Sequence, residues 1–311
     1  MKLWEFRLRL ESPFISQWQS DIIFGHLAWT YRDVYGEEAL LSWLKRFDEA
    51  PPFVLSNGFI TDTFPKPLLP PPHKNIDSKH ELVSQIALGK KLKNTRFIHL
   101  EDFIRFIQGE GITITKPVEQ VFEKYIRTHN TIDRDTGRSL EENGLYEIEN
   151  LYIPKDKLLS IFVRVQDEAS LDEFEYLLNL VSLQGYGNKK TTGFGQFTVH
   201  KKLEREDLDQ CKDEANAVVW LSHGVPDMHD PIDGWYKLET KYGKVGGQVT
   251  SYGNLFKRPL TRITPGSVFK TCNPKPYYGV IMKNIYPFNK NVVQYAYALS
   301  IPIKLPTYLM N

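Results

Sequence analysis

The stretch Gln184 to Phe197, QGYGNKKTTGFGQF, constrains the fold more than any other part of the chain. Gly185, Gly187, Gly193 and Gly195 bracket two lysines and two threonines. The backbone there can turn with positive φ and approach a ligand closely, while Lys189 and Lys190 supply charge and Thr191 and Thr192 supply hydroxyls. Two readings are open: a hinge between a helix and a strand, or a backbone cradle for phosphate groups. The order of elements bears on the choice. Leu171, Phe174, Leu177, Leu178 and Val181 recur at helical spacing before the loop, and Gln196 to Lys202 reads as a strand after it. Dinucleotide-binding and P-loop folds run the other way, with glycines that follow a strand and open a helix whose N-terminus helps hold phosphate. Here the loop leaves a helix C-terminus, where the dipole is unfavourable for an anion, so Lys189 and Lys190 must provide the attraction. The residue before Lys190 is Lys189, so Gly-Lys-Ser/Thr spacing is also missing. A nucleic-acid backbone suits such a loop better than a nucleotide pocket does.

Upstream, Trp4, Phe6, Leu8 and Leu10 alternate with Glu5, Arg7, Arg9 and Glu11, which predicts a half-buried first strand. Ser20 is read as an N-cap with Asp21 in the first turn, and Ile23, Leu27, Tyr31 and Val34 carry a helix that Gly36 ends or kinks. Glu38 to Phe47 supports another helical turn or two, and Phe53 to Ile60 has strand composition. The proline run Pro65 to Pro72 must be extended and is read as a rigid surface connection rather than a proline-motif ligand. Ser78 to Lys93 reads as a basic amphipathic segment, and Leu100 to Gln108 as a short helix with Phe103, Ile104 and Ile107 on one face. Residues 110 to 150 form an irregular polar insertion with a turn at Asp135-Thr136-Gly137, a hairpin able to reach outward. Leu158 to Gln166 is the next strand. Strand, helix, strand, insertion, strand, helix, strand is a split βαβ order, so the expected class is α+β with a ferredoxin-like (RRM-like) domain over residues 1–202.

Residues 203–311 read as a smaller, degenerate, β-rich companion domain, and the chain length of 311 fits two domains. Leu203 to Asn216 is an acidic linker or edge helix. Strands are expected at Val218 to Leu221, Trp235 to Thr240, Gly266 to Lys270, Tyr277 to Ile285 and Val292 to Ile303. The net charge of +1 conceals an asymmetry here, because Glu239 is the last acidic residue and ten bases follow it. They include Lys257, Arg258 and Arg262 and are interleaved with tyrosines and phenylalanines, as on a polyanion-binding surface. The competing reading pairs them with the acid-rich segment from Glu204 to Asp233. The chain has no apolar run of about 18 residues, which argues against a membrane span. MKLWEFRLRLE is not a signal peptide, and Cys211 and Cys272 are too isolated for a disulfide scaffold or zinc site, so a cytoplasmic location is expected.

Several stretches together carry a resemblance. SDIIFGHLAWTYRDVYGEE (Ser20 to Glu38), PKPLLP (Pro65 to Pro70), NTIDRDTG (Asn130 to Gly137) followed by GLYEIE (Gly144 to Glu149), and GYGNKKTTGFGQF are similar to the RAMP superfamily of CRISPR proteins. Within it they resemble the fourth subunits of type III-A Csm effector complexes, which cap the 5′ end of the guide RNA. The similarity covers residues 1 to 202 best, and TRITPGSVF (Thr261 to Phe269) is its clearest trace beyond them. The resemblance implies two ferredoxin-like domains, a contact to the repeat-derived 5′ tag of the CRISPR RNA, and no catalytic centre or cofactor. It also implies a large polymerase/cyclase-type subunit and a backbone RAMP subunit as partners. The glycine loop would hold the tag, and Asn130, Arg134 and Arg138 in the inserted hairpin would reach sugar, phosphate or base, or else serve as turn-forming and surface-pairing residues.

RAMP proteins also include metal-independent endoribonucleases, and there His26, early in the first helix, is the candidate general acid or base, against a reading in which it merely packs. His129 has access to RNA but no visible partner base. His223, Asp227, His229 and Asp230 match no familiar metal spacing and read as a polar turn, so no metal is expected.

Overall fold

The computed structural model describes residues 1–70, 89–90, 93–112, 114–115, 118, 122–140, 144–246 and 255–310. The expected basic segment from Ser78 to Lys93 therefore lies almost wholly outside the described residues, as do Pro71 and Pro72 of the proline run. The architecture is mixed helix and sheet, α+β. Strand β1 (Lys2–Leu10) is followed by helices α1 (Ser20–Tyr35) and α2 (Glu37–Glu49), β2 (Phe53–Ile60), β3 (Thr63–Pro65), β4 (Phe97–His99) and α3 (Leu100–Ile107). The hairpin strands β5 (Glu123–Asn130) and β6 (Leu145–Tyr152) come next, then β7 (Leu159–Val165), α4 (Glu168–Gln184) and β8 (Phe197–Glu204). Beyond them are β9 (Ala217–Trp220), β10 (Gly234–Trp235), β11 (Leu238–Lys241), β12 (Leu260–Ile263), β13 (Val268–Lys270), β14 (Tyr277–Met282) and β15 (Gln294–Ile303).

A first antiparallel sheet has the order β2-β7-β1-β8. Phe6 of β1 meets Phe174 of α4 edge-on at 5.0 Å, so the even positions of β1 face the helices. Of the odd positions only Arg9 is exposed; Leu3 and Glu5 are buried and Arg7 half-buried, so the strand is covered on both faces over much of its length, beyond the half-buried strand expected. Phe162 of β7 packs near Phe64, which stacks on Phe103 of α3 at 4.3 Å, and this layer covers the second face. Glu5 is fully buried there, accepting bonds from Arg205 (2.6 Å), Ser160 (2.6 Å) and Arg7 (3.0 Å). Glu5 and Arg7 thus belong to a covered ion network, because α3 and the segment after β8 supply a second layer, while Arg9 and Glu11 stay exposed as the alternation predicts.

A second sheet has the order β10-β13-β9-β15-β14. β15 is buried along its whole length, and its residues bond into the first sheet: the Tyr295 hydroxyl accepts from the Leu55 amide at 2.9 Å, and Ser300 O accepts from Arg164 at 3.1 Å. Trp235 to Thr240 divides into β10 and β11, the strands expected from Gly266 and Val292 begin at Val268 and Gln294, the strand from Tyr277 ends at Met282, and β12, unanticipated, pairs with β11. Leu203 to Asn216 is not an edge helix but carries two short 3₁₀ turns.

The start of α1 also differs from the sequence reading. Ser20 is the first helical residue rather than the cap, and its buried hydroxyl has no partner among the described residues. Asn57 Oδ1, in the irregular stretch of β2, accepts the Ser20 amide at 3.1 Å and does the work of a local cap from a distant strand. Asp21 behind it is bonded by Lys241 (2.6 Å), Arg262 (3.3 Å) and Gln294 (2.6 Å), all three from residues beyond β10. Burial favours the neutral Asp21 acid, but Lys241 and Arg262 outweigh it and hold the carboxyl below its ordinary range. Asp21→Ala would leave Lys241 without the carboxylate it bonds and Arg262 with Glu239 alone, an effect of about 3–5 kcal/mol. We expect a large fall in the denaturation midpoint, measured by urea titration; at neutral pH the wild type keeps this stabilisation, and loses it as pH falls below about 3.9.

Candidate nucleic-acid interface

The glycine loop leaves the C-terminus of α4, as its sequence position predicts. Gly185 has φ of 85° and closes the helix by donating its amide to Val181 O at 2.9 Å. Gly195 must remain glycine for a different reason: a Cβ there would run into the Tyr186 carbonyl, and the Tyr186 amide bonds to Gly195 O at 2.8 Å. These two residues pinch the ends of the loop together. Between them, Lys190 to Thr192 form one 3₁₀ turn and the Thr192 hydroxyl donates to Lys189 O, while Lys189, Thr191, Thr192 and Gly193 are exposed.

Much of the loop's backbone is committed inward. The amides of Gly187, Asn188, Gly195 and Gln196 donate to His26 Nε2 (2.8 Å), Ser16 Oγ (3.0 Å), Pro13 O (2.9 Å) and Ser12 Oγ (2.8 Å). Attraction for a phosphate is therefore left to side chains: Lys189 in the left-handed region (φ 59°) and Lys190 beside Gln184 Oε1 at 3.5 Å. The role of His26 follows from the same bonds. Burial, with a smaller contribution from Lys190, pushes its pKa down to about 4, so near neutral pH Nε2 is an unprotonated acceptor already occupied by the Gly187 amide. Sequence alone singled out His26 but carried no signal for Ser12 or Ser16, whose partners lie more than 170 residues away in the chain.

The inserted hairpin meets this loop. Lys189 Nζ donates to the Tyr146 hydroxyl at 3.3 Å and lies 4.9 Å above its ring, and His129 stacks against the same ring. Asn130 Oδ1 accepts from the Ser139 hydroxyl at 2.6 Å, which fixes the hairpin's far end. Arg134 and Arg138 stand exposed on either side of the turn in which Gly137 has φ of 65°. Below the hairpin lies a cleft of about 1060 Å³ walled by Trp18, Phe97, Phe122, Lys66, Lys124 and Lys237 among others. Burial, and then the nearby Lys237, hold the Lys66 pKa below its ordinary value.

The bases beyond Glu239 divide by environment. Arg262 is buried, held by Asp21, by Gln19 Oε1 (3.0 Å) and by Glu239 (3.0 Å), and Lys257 Nζ donates to Val293 O and Gln294 Oε1, both at 3.0 Å. Burial lowers the Lys257 pKa to about 8. These two side chains are interior framework, whereas Arg258 is exposed. Their carboxylate partners come chiefly from Asp21 and Glu239, while Lys270 and Lys304 do reach Asp233 and Glu214 of the acid-rich segment. His223 Nδ1 accepts from Asn57 Nδ2 at 3.0 Å and its Nε2 donates to Glu239 at 3.0 Å, while Asp230 accepts the Asp227 and Gly279 amides. Among the described residues no group of three metal-ligating side chains comes together. No helix among them is long and apolar enough to cross a membrane.

With this geometry, comparison with known proteins is direct. The model of the RAMP superfamily matches residues 20–198, and the chain belongs to that superfamily. It is 25% identical over 224 residues, 68% of this chain and 69% of the relative, to a Streptococcus thermophilus protein described as CRISPR system Cms protein Csm4. Its fold is similar to a chain in a crystal structure of a Csm3-Csm4 subcomplex of the type III-A CRISPR-Cas interference complex, with a TM-score of 0.64 at 16% identity, covering 98% of this chain and 100% of that one. It is also similar to a chain of a Csm1-Csm4 cassette in complex with cA4, with a TM-score of 0.63 at 15% identity over 98% and 99% of the two chains.

Because His26 anchors the loop as a neutral acceptor, acid should release it. The folded loop resists protonation down to about pH 4 whereas a free histidine titrates near 6.5, so the loop's stability falls as pH drops between those values. NMR of ring-labelled His26 should show this depressed titration. His26→Ala, which leaves the Gly187 amide without its acceptor, should loosen residues 185–195 in hydrogen exchange by about 1–3 kcal/mol.

Proposed function

We propose that this chain is an RNA-binding subunit of a type III-A CRISPR effector complex, holding the 5′ tag of the CRISPR RNA and docking a large polymerase/cyclase-type subunit and a backbone RAMP subunit. The observation that carries this reading is the Lys189–Tyr146 contact, which joins the glycine loop and the inserted hairpin into one exposed basic and aromatic surface. Membership of the RAMP superfamily and likeness to Csm4 supply the partners. The contacting set is Lys189, Lys190, Thr191 and Thr192 on the loop, Asn130, Arg134 and Arg138 on the hairpin, and Arg258 on the second sheet's side. Gly185, Gly187, Gly193 and Gly195 shape the loop, while Lys257 and Arg262 hold the framework behind it.

The reading includes two ferredoxin-like units, residues 1–202 and 203–311. The order β2-β7-β1-β8, with α1 and α2 joining β1 to β2 and α4 joining β7 to β8, supports the first. In the second, β10-β13-β9-β15 repeats that order without the crossover helices, and β14 adds a strand at the edge, which is the sense in which it is degenerate. The reading is of a non-catalytic, cytoplasmic protein. An endoribonuclease centred on His26 finds no support in the geometry, since the nitrogen that would take a proton is buried and bonded to the Gly187 amide.

The test is the Lys189→Ala, Lys190→Ala double variant, purified with whatever proteins and RNA accompany the native chain. Less guide RNA should be recovered and its 5′ tag should become nuclease-sensitive. For two lost phosphate contacts the log–log salt dependence of RNA binding should shallow by about 1.4. Unchanged RNA content and unchanged tag protection would sink the proposal.

A further inference from the structure

The β5–β6 hairpin has two unlike sides. Strand register puts Tyr125, Arg127 and His129 opposite Asn150, Ile148 and Tyr146 on one side, and Ile126 and Thr128 opposite Glu149 and Glu147 on the other. The second side carries Glu147 and Glu149, the Lys124–Glu149 ion pair at 2.7 Å, and the wall of the cleft. The first side carries Glu123 at its base, opposite Tyr152, but no carboxylate from the Tyr125–Asn150 pair to the His129–Tyr146 pair, and it is the side that Lys189 touches. On it, rings and cations alternate. The Arg127 guanidinium lies 5.9 Å from the centre of the Tyr125 ring, His129 lies 5.4 Å from Tyr146 at 17°, and Lys189 covers Tyr146. Tyr125, Arg127 and Tyr146 are exposed, and His129 Nε2 is buried without a partner among the described residues.

We infer that this side of the hairpin is a stacking strip for unpaired RNA bases, continuing from the lysines of the glycine loop. The inference rests on the RNA-binding reading above and adds where the bases go. Every nucleobase has a π-face that stacks on tyrosine, histidine or guanidinium irrespective of sequence, while the phosphates between bases need cations and an absence of carboxylates. The loop-facing side meets both conditions and the cleft-facing side, with Glu147 and Glu149, does not. Lys189 adds continuity: from its left-handed backbone it reaches the first ring of the strip, so a phosphate held at Lys189 leaves the attached base beside Tyr146. A protein partner would also find tyrosines to pack on, but alternating rings and cations with no carboxylate between Tyr125 and Tyr146 across the strands favour a chain of bases and phosphates.

The full-length chain is mixed with a short single-stranded RNA carrying 2-aminopurine, and fluorescence and affinity are read together. Binding should quench the fluorophore. Tyr146→Leu and Tyr125→Leu should each weaken binding about tenfold with the salt slope unchanged, and Tyr146→Phe, which keeps the ring, should bind like wild type. Wild-type affinity in Tyr146→Leu, or a Tyr146→Phe variant as weak as Tyr146→Leu, overturns the strip. So does a Tyr146→Leu variant that loses accompanying subunits on purification while its RNA affinity is intact, since the strip would then be a protein contact. RNA bound without quenching removes the strip and leaves the RNA-binding reading in place, whereas wild-type protein that binds no RNA overturns both.

Discussion

The buried carboxylate of Asp21, at the start of α1, is the constraint on which the arrangement depends. It gathers Lys241, Arg262 and Gln294 from the second sheet's side, while one residue earlier the Ser20 amide is held by Asn57 of β2. Five residues later, His26 receives the glycine loop through Gly187. The first turns of one helix therefore fix both sheets and the loop relative to each other. The isolated interactions are ordinary in strength; their effect comes from being confined to one rigid segment, so that none relaxes without the others.

Charge in this chain is distributed according to that hub. The acid-free run after Glu239 is legible in the sequence as a net asymmetry, but composition cannot tell a cation facing solvent from one facing Asp21. Arg262 and Lys257 fall on the inside because β12 and the start of β15 bring them against the N-terminal turn of α1. Arg258, one residue after Lys257, points outward. Neighbours in sequence thus have opposite roles, and only long-range packing separates them.

The same distinction explains what else the sequence disclosed. Helix α4, the glycine loop and β8 were readable because local periodicity and glycine placement determine them, and so was the hairpin turn at Gly137. β12 was missed because Leu260 to Ile263 is too short to show alternation and is made a strand by β11. Ser20 carries the local pattern of a cap, but the acceptor at this helix start, Asn57, is 37 residues away and has no signature in the local sequence. The glycine loop is legible as a concentration of charge, but the sequence does not show that four of its amides are taken by Ser12, Pro13, Ser16 and His26, which turns that backbone inward.

On the proposed function, RNA is gripped where the glycine loop touches the hairpin. Photo-crosslinking of bound RNA in the native complex, followed by peptide mapping, tests it most directly. The account predicts adducts on the peptides spanning residues 185–195 and on Tyr146. Crosslinks confined to other parts of the chain, with both of these peptides unmodified, would contradict it.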